Sequence, residues 1–173
     1  DGSRIALTFL DGTIRIRGAV TGSLHTLEGQ GTRVSAIAWS PDGTRVASGS
    51  LGGTLLVSDA TTGRTLHTLE ASATEFVTAV AWSPDGTRII SALSGQAPPR
   101  VWDARTGEGL HTLDGQGLNL VVTLAWSPDG TRILGGSMHG EVLVWDATTG
   151  ECLFTMDGPE VGVLNVGSVA WSP

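Results

Sequence analysis

The segment Trp-Ser-Pro-Asp-Gly occurs three times, at 39–43, 82–86 and 126–130, while the chain opens on Asp1-Gly2 and ends on Trp171-Ser172-Pro173. Read as a circle, the two ends make a fourth copy. Successive tryptophans stand 43, 44 and 45 residues apart, and the step from Trp171 through the ends to Trp39 is 41, so four repeats take up all 173 residues. A period of this length marks a radial array or a solenoid, in which one unit cannot bury its faces alone and must stack on its neighbours. The expectation is a single repeat domain over 1–173 with nothing left for a second.

Residues 34–75 show the unit. Val34 to Trp39 is strand-like, and Ser40-Pro41-Asp42-Gly43 is a turn in which Pro presets φ and Gly accepts positive φ. Arg45 to Ser50 follows as a second strand, Gly52-Gly53 as a tight hairpin turn, and Thr54 to Ser58 as a third strand. Asp59-Ala60-Thr61-Thr62-Gly63 then turns into a fourth strand, Arg64 to Leu69. Four short strands in a meander form a twisted antiparallel sheet that packs against equivalent sheets around an axis. The fold class is therefore all-β, a propeller of four-stranded blades. Blade 1 takes 1–27 plus 166–173, blade 2 takes 34–69, blade 3 takes 77–113 and blade 4 takes 121–156.

Composition narrows the function classes. The net charge of −7 arises from 17 carboxylates against ten arginines, with no lysine, and no basic stripe is visible. Nucleic acid and anionic membrane are poor partners for such a chain. The single Cys152 excludes an intrachain disulfide framework. No apolar run reaches membrane-spanning length and no signal peptide is visible, which favours the cytoplasm.

At the end of the third strand stand Trp102-Asp103 and Trp145-Asp146, and Asp-Ala-Thr-Thr-Gly turns occupy 59–63 and 146–150. With the Ala-Trp-Ser-Pro-Asp-Gly segments, these residues resemble WD40 repeats of microbial type, and the resemblance covers the whole chain. It implies a non-enzymatic protein-interaction scaffold. In that family a buried hydrogen-bond set joins a third-strand Trp, a second-strand Ser or Thr, a hairpin-turn Asp and a His before the next blade. No blade here has all four. Blade 1 keeps Asp11 but has Arg17 and Leu7; blade 2 keeps Ser48 but has Ser58 and Gly52. Blade 3 keeps Trp102 and Ser91, and blade 4 keeps Trp145 with Gly135 and His139. The Gly-His pair has become Gly29-Gln30, Ala71-Ser72, Gly115-Gln116 and Gly158-Pro159. Abandoning a buried network costs less than half-satisfying it, so blade cohesion is expected to rest on apolar packing between sheets.

Repetition also argues against chemistry. His25, His67 and His111 share one repeat position on outer strands, which the ring spreads apart, so they cannot meet one ion at about 2.1 Å. The turn aspartates Asp42, Asp85 and Asp129, and Asp59, Asp103 and Asp146, suit local backbone bonding. No nucleophile elbow, phosphate loop or metal-ligand spacing is present, so no catalytic residue, metal or cofactor is expected. Cys152 aligns with Ser23, Thr65 and Gly109, positions free to vary.

The repeats differ where the links and hairpin turns share one end of the ring. The links run Glu28 to Arg33, Glu70 to Phe76, Asp114 to Leu120 and Asp157 to Asn165; the hairpin turns are Leu10 to Gly12, Leu51 to Gly53, Ser94 to Pro98 and Met138 to Gly140. Apolar residues on loops held by a rigid scaffold suit a protein-binding face. The candidate residues are Phe76, Pro98, Pro99, Arg100, Leu118, Asn119, Met138, His139, Val163 and Leu164. Pro99 falls inside the third strand of blade 3 and removes a ladder bond, so that strand should begin frayed or bulged beside Arg100.

Four blades make a small ring. Small residues on the inner strands (Ala36, Ala38, Ala79, Ala81, Ala125, Ala170) suit the shallow angles of a larger one, and half a ring would expose two apolar sheet faces. Two chains closing one eight-bladed ring resolve this, with Val166, Val169 and Trp171 completing the first blade of the other copy. The expected partners are thus a second copy and an unidentified protein. Two alternatives are an excised or engineered assembly module with no ligand, and a glycan or small-ligand binder using Trp39, Trp82, Trp126 and Trp171 as platforms.

Overall fold

The structure is a computed structural model and describes residues 2–27, 30–115, 120–156 and 165–173. Its strands form four antiparallel meanders. The first holds β1 (Arg4–Thr8), β2 (Ile14–Gly18) and β3 (Leu24–Leu27). The second holds β4 (Val34–Trp39), β5 (Arg45–Ser50), β6 (Thr54–Asp59) and β7 (Thr65–Glu70). The third holds β8 (Val77–Trp82), β9 (Arg88–Leu93), β10 (Arg100–Asp103) and β11 (Gly109–Thr112), and the fourth β12 (Val121–Trp126), β13 (Arg132–Ser137), β14 (Val142–Asp146) and β15 (Cys152–Met156). The strands expected over 34–69 are present to within a residue. No helix long and apolar enough to cross a membrane occurs among the described residues.

Local chemistry sets the turns. In the first turn of the second blade, the Ser40 hydroxyl donates to Asp42 at 2.6 Å, and Asp42 accepts the Thr44 N–H at 3.0 Å. Ser83, Asp85 and Thr87 repeat this arrangement, as do Ser127, Asp129 and Thr131. In the other turn, Asp59 accepts from the N–H groups of both Thr61 and Thr62, as Asp103 and Asp146 do in their blades.

The core lies between sheets. Ile14, Ile16 and Leu27 of the first blade pack on Val34, Val46 and Ala60 of the second. Leu55, Val57 and Leu69 pack on Trp82, Ile89 and Trp102 of the third, and Ile90, Val101 and Leu113 on Trp126, Ile133 and Trp145 of the fourth. Each inner strand β4, β8 and β12 carries a bulge in its pairing with the second strand. At two of these bulges a hydroxyl ties neighbouring blades: Ser35 donates to the Val77 carbonyl at 2.5 Å, and Thr78 to the Val121 carbonyl at 2.6 Å.

The first blade has three strands, with β1 at its edge and paired only to β2. Ile5 and Leu7 on β1 are exposed, whereas Val46, Ile89 and Ile133 at the position of Ile5 are buried. Residues 166–173 do not join blade 1 of their own chain. They lie beside the fourth blade without forming a strand there: the Val166 N–H donates to the Ser137 carbonyl at 3.0 Å and the Trp171 indole N–H to the Ala125 carbonyl at 3.3 Å. Val166 packs on Gly136 as Val77 packs on Gly49. The segment therefore occupies the place of an inner strand one blade beyond the fourth.

Candidate interaction face

The links and hairpin turns share one end of the molecule. Gly12 of the first hairpin turn abuts Thr32 of the first link, Gly53 abuts Ser72 and Glu75 of the second, and Gly95 abuts Glu75. At the opposite end, Gly63 packs on Thr26, Gly107 on His67 and Leu69, and Gly150 on Thr112. This division matches the one drawn from strand order.

The candidate residues are placed as follows. Phe76 is exposed at the start of the third blade, where its N–H donates to the Ser94 hydroxyl at 3.1 Å and its carbonyl accepts the Ser94 N–H at 2.8 Å. Pro98 is exposed, Pro99 buried and Arg100 exposed. The strand β10 begins at Arg100, just after the two prolines, and the Pro99 carbonyl accepts the Leu113 N–H at 2.8 Å. The Arg100 guanidinium lies 4.6 Å from the Trp102 ring centre and lines a cavity of about 130 Å³ with Ser91, Pro98 and Thr112. Met138 and His139 are exposed, and the Met138 N–H donates to the Leu120 carbonyl. Leu118, Asn119, Val163 and Leu164 lie outside the described residues. Val166, Val169 and Trp171 are half-buried on the fourth blade.

Two further residues belong with this set. Leu10 is 78% exposed and Leu51 46%, at the hairpin-turn position that Met138 (42%) holds in the fourth blade. With Phe76 at 42%, every blade presents an apolar side chain at this end. The shared position of Leu10, Leu51 and Met138 was the signal that could have grouped them.

Blade cohesion is not purely apolar. The Arg45 guanidinium donates to the Ala104 and Gly86 carbonyls of the next blade at 2.9 and 3.2 Å, and Arg88 to Ala147 and Gly130 at 2.8 and 3.1 Å. Arg4 donates to the Gly43 carbonyl at 2.6 Å. Each also lies on a tryptophan ring of the next blade: Arg4 on Trp39, Arg45 on Trp82, Arg88 on Trp126. The signal was an Arg at the same place after Asp-Gly in all four repeats, at 4, 45, 88 and 132.

Nor is the buried polar set abandoned. The Trp102 indole N–H donates to the Ser91 hydroxyl at 2.9 Å, and the Gln30 amide donates to the Ser48 hydroxyl at 2.6 Å, filling the role expected of a His. Gln30 Oε1 is left buried without a partner, so this network is half-satisfied after all. Trp145 donates instead to the Asp114 carbonyl at 2.6 Å.

The turn carboxylates are all held ionised. A hydroxyl bond from Ser40 and the N–H of Thr44 lower Asp42 to about 2, and Ser127 and Thr131 do the same to Asp129. His25, His67 and His111 sit on β3, β7 and β11 of separate sheets. Burial holds His111 below the usual imidazole range. Trp82 and Trp126 are buried beneath their arginines, whereas Trp39 and Trp171 are half-buried and line open cavities.

Two family models match: the one described as the anaphase-promoting complex subunit 4 WD40 domain over residues 4–85, and the WD domain, G-beta repeat, over residues 107–146. No curated protein matches. Among solved structures, the crystal structure of the computationally designed Ika8 protein is similar with a TM-score of 0.85 and 26% identity, covering 100% of this chain. This chain spans 51% of that one.

Proposed function

The chain belongs to the WD40-repeat β-propeller family, and from that premise we propose that it is a non-enzymatic scaffold that binds a protein partner through the end carrying the links and hairpin turns. The observation that carries this reading is the set Leu10, Leu51, Phe76 and Met138, exposed around one end of a rigid array of sheets. Fold alone does not assign a function, and it is this local pattern that favours protein recognition. The test is affinity capture from a native extract. A Phe76→Ala, Met138→Ala variant should lose a partner that the unmodified chain and a Thr61→Ala variant at the opposite end both retain. Equal capture by all three contradicts the reading.

We also propose that two copies complete one eight-bladed ring. The exposed edge of β1 and the unpaired segment 166–171 are the two halves of one missing pairing, and the second copy supplies each to the other. Head-to-tail junctions that close after two copies pair each β1 and leave only the short strands at the margins of each blade as edges. A second reading, an assembly module with no ligand, is favoured by the similarity to a computationally designed protein. Full ring formation with no partner lost by the Phe76→Ala, Met138→Ala variant would select it.

A further inference from the structure

Arg132 is the fourth arginine of the repeated series, and it faces no next blade within its own chain. Its backbone makes the same turn as the others, donating its N–H to the Ser127 hydroxyl at 2.9 Å as Arg45 does to Ser40 and Arg88 to Ser83. Its side chain is exposed, whereas Arg4, Arg45 and Arg88 are half-buried. With Trp171 it lines an open cavity of about 350 Å³.

The acceptors that match it stand at the other end of the molecule. Arg45 and Arg88 each bind one glycine carbonyl and one alanine carbonyl of the following blade, Gly86 with Ala104 and Gly130 with Ala147. In the first blade the equivalent pair is Gly2 and Ala19. Gly2 holds φ +66, close to +71 at both Gly86 and Gly130. The Ala19 N–H donates to the Ser3 carbonyl at 2.7 Å, as Ala104 donates to Thr87 and Ala147 to Thr131 at 2.9 Å. The acceptor pair is therefore already set, beside a cavity of about 400 Å³ lined by Gly2, Arg4 and Trp39.

We infer that Arg132 is an intermolecular latch: its guanidinium donates to the Gly2 and Ala19 carbonyls of a second copy while lying against Trp171 of its own chain. Segment 166–171 then pairs with β1 of that copy. Trp171 faces Ile5 as Trp39 faces Val46, Trp82 faces Ile89 and Trp126 faces Ile133. The pairing covers Ile5 and Leu7, and it brings the Ala170 carbonyl to the Trp39 indole N–H of the second copy, as Ala38 serves Trp82 at 3.2 Å. Guanidinium matters here because its two terminal nitrogens, fixed in one plane, reach one carbonyl each while the plane lies against the indole, a geometry that the single nitrogen of an ammonium does not reproduce.

This inference rests on the two-copy ring proposed above. The experiment is analytical ultracentrifugation of the unmodified chain, Arg132→Ala, Arg132→Lys and Arg64→Ala, the last removing an equal charge from an exposed turn. Both Arg132 variants should keep the far-ultraviolet spectrum of the unmodified chain and dissociate at concentrations at least roughly a hundred-fold higher, because the ring has two junctions and each loses about ten-fold or more with its charged donor. Arg64→Ala should associate as the unmodified chain does. If Arg132→Ala fails to fold, Arg132→Lys alone carries the comparison. Dimers as tight in both Arg132 variants as in the unmodified chain overturn the latch and leave the ring standing. An unmodified chain that never associates overturns both.

Discussion

The Arg88 guanidinium lies 4.7 Å from the centre of the Trp126 ring, covering one face of a buried indole on the next blade. Because the same guanidinium donates to the Ala147 and Gly130 carbonyls, one side chain joins the third blade to the fourth at three points. Arg88→Ala should lower the unfolding free energy by about 2–3 kcal/mol, the sum expected of a stacked cation and a lost charged donor. Arg88→Lys should recover less than half. Urea denaturation measures both, and an unchanged midpoint in Arg88→Ala contradicts the role assigned to this contact.

The Ser91 hydroxyl is the acceptor for the buried Trp102 indole N–H. Ser91→Ala removes that acceptor, and an unsatisfied buried donor costs about 1–3 kcal/mol. The expected outcome is a lower melting temperature with an unchanged far-ultraviolet spectrum. A melting temperature equal to that of the unmodified protein contradicts it.

Acid should act through the first turns. Hydroxyl and N–H donors lower Asp42 and Asp129 to about 2, and lower Asp85 as well, from an ordinary value of 3.8. A depressed carboxyl contributes stability that is present above its unfolded pKa and lost as pH falls through the folded one. The denaturant midpoint should thus decline slightly below about 6.5, where burial disfavours protonation of His111, and fall more steeply between about 4 and 2 as the turn carboxyls gain protons. Replacing all three aspartates by Asn should flatten that fall, and an equally steep fall in the triple variant contradicts the assignment.

How much of this was legible in the sequence depends on what each contact is made of. Strand limits were readable because Pro41, Asp42, Gly43 and their repeats act on their own backbone, within five residues. The short β10 was readable for the same reason, since Pro99 cannot donate to the ladder. The arginine contacts are not legible in the sequence, although Arg4, Arg45, Arg88 and Arg132 stand in plain repeat, because their acceptors are main-chain carbonyls that no residue type announces. Gln30 stands where the family has His, and its amide nitrogen, as many bonds from Cβ as an imidazole Nε2, still reaches Ser48. The placement of 166–173 against blade 4 also follows from geometry: the segment is continuous with the end of that blade and four blades away from β1.

The mass of the chain in solution tests the central claim most directly. Sedimentation equilibrium on the unmodified chain should give a single species of about 36 kDa, two copies of 17.8 kDa closing one ring. A monodisperse species of 17.8 kDa at every concentration contradicts it.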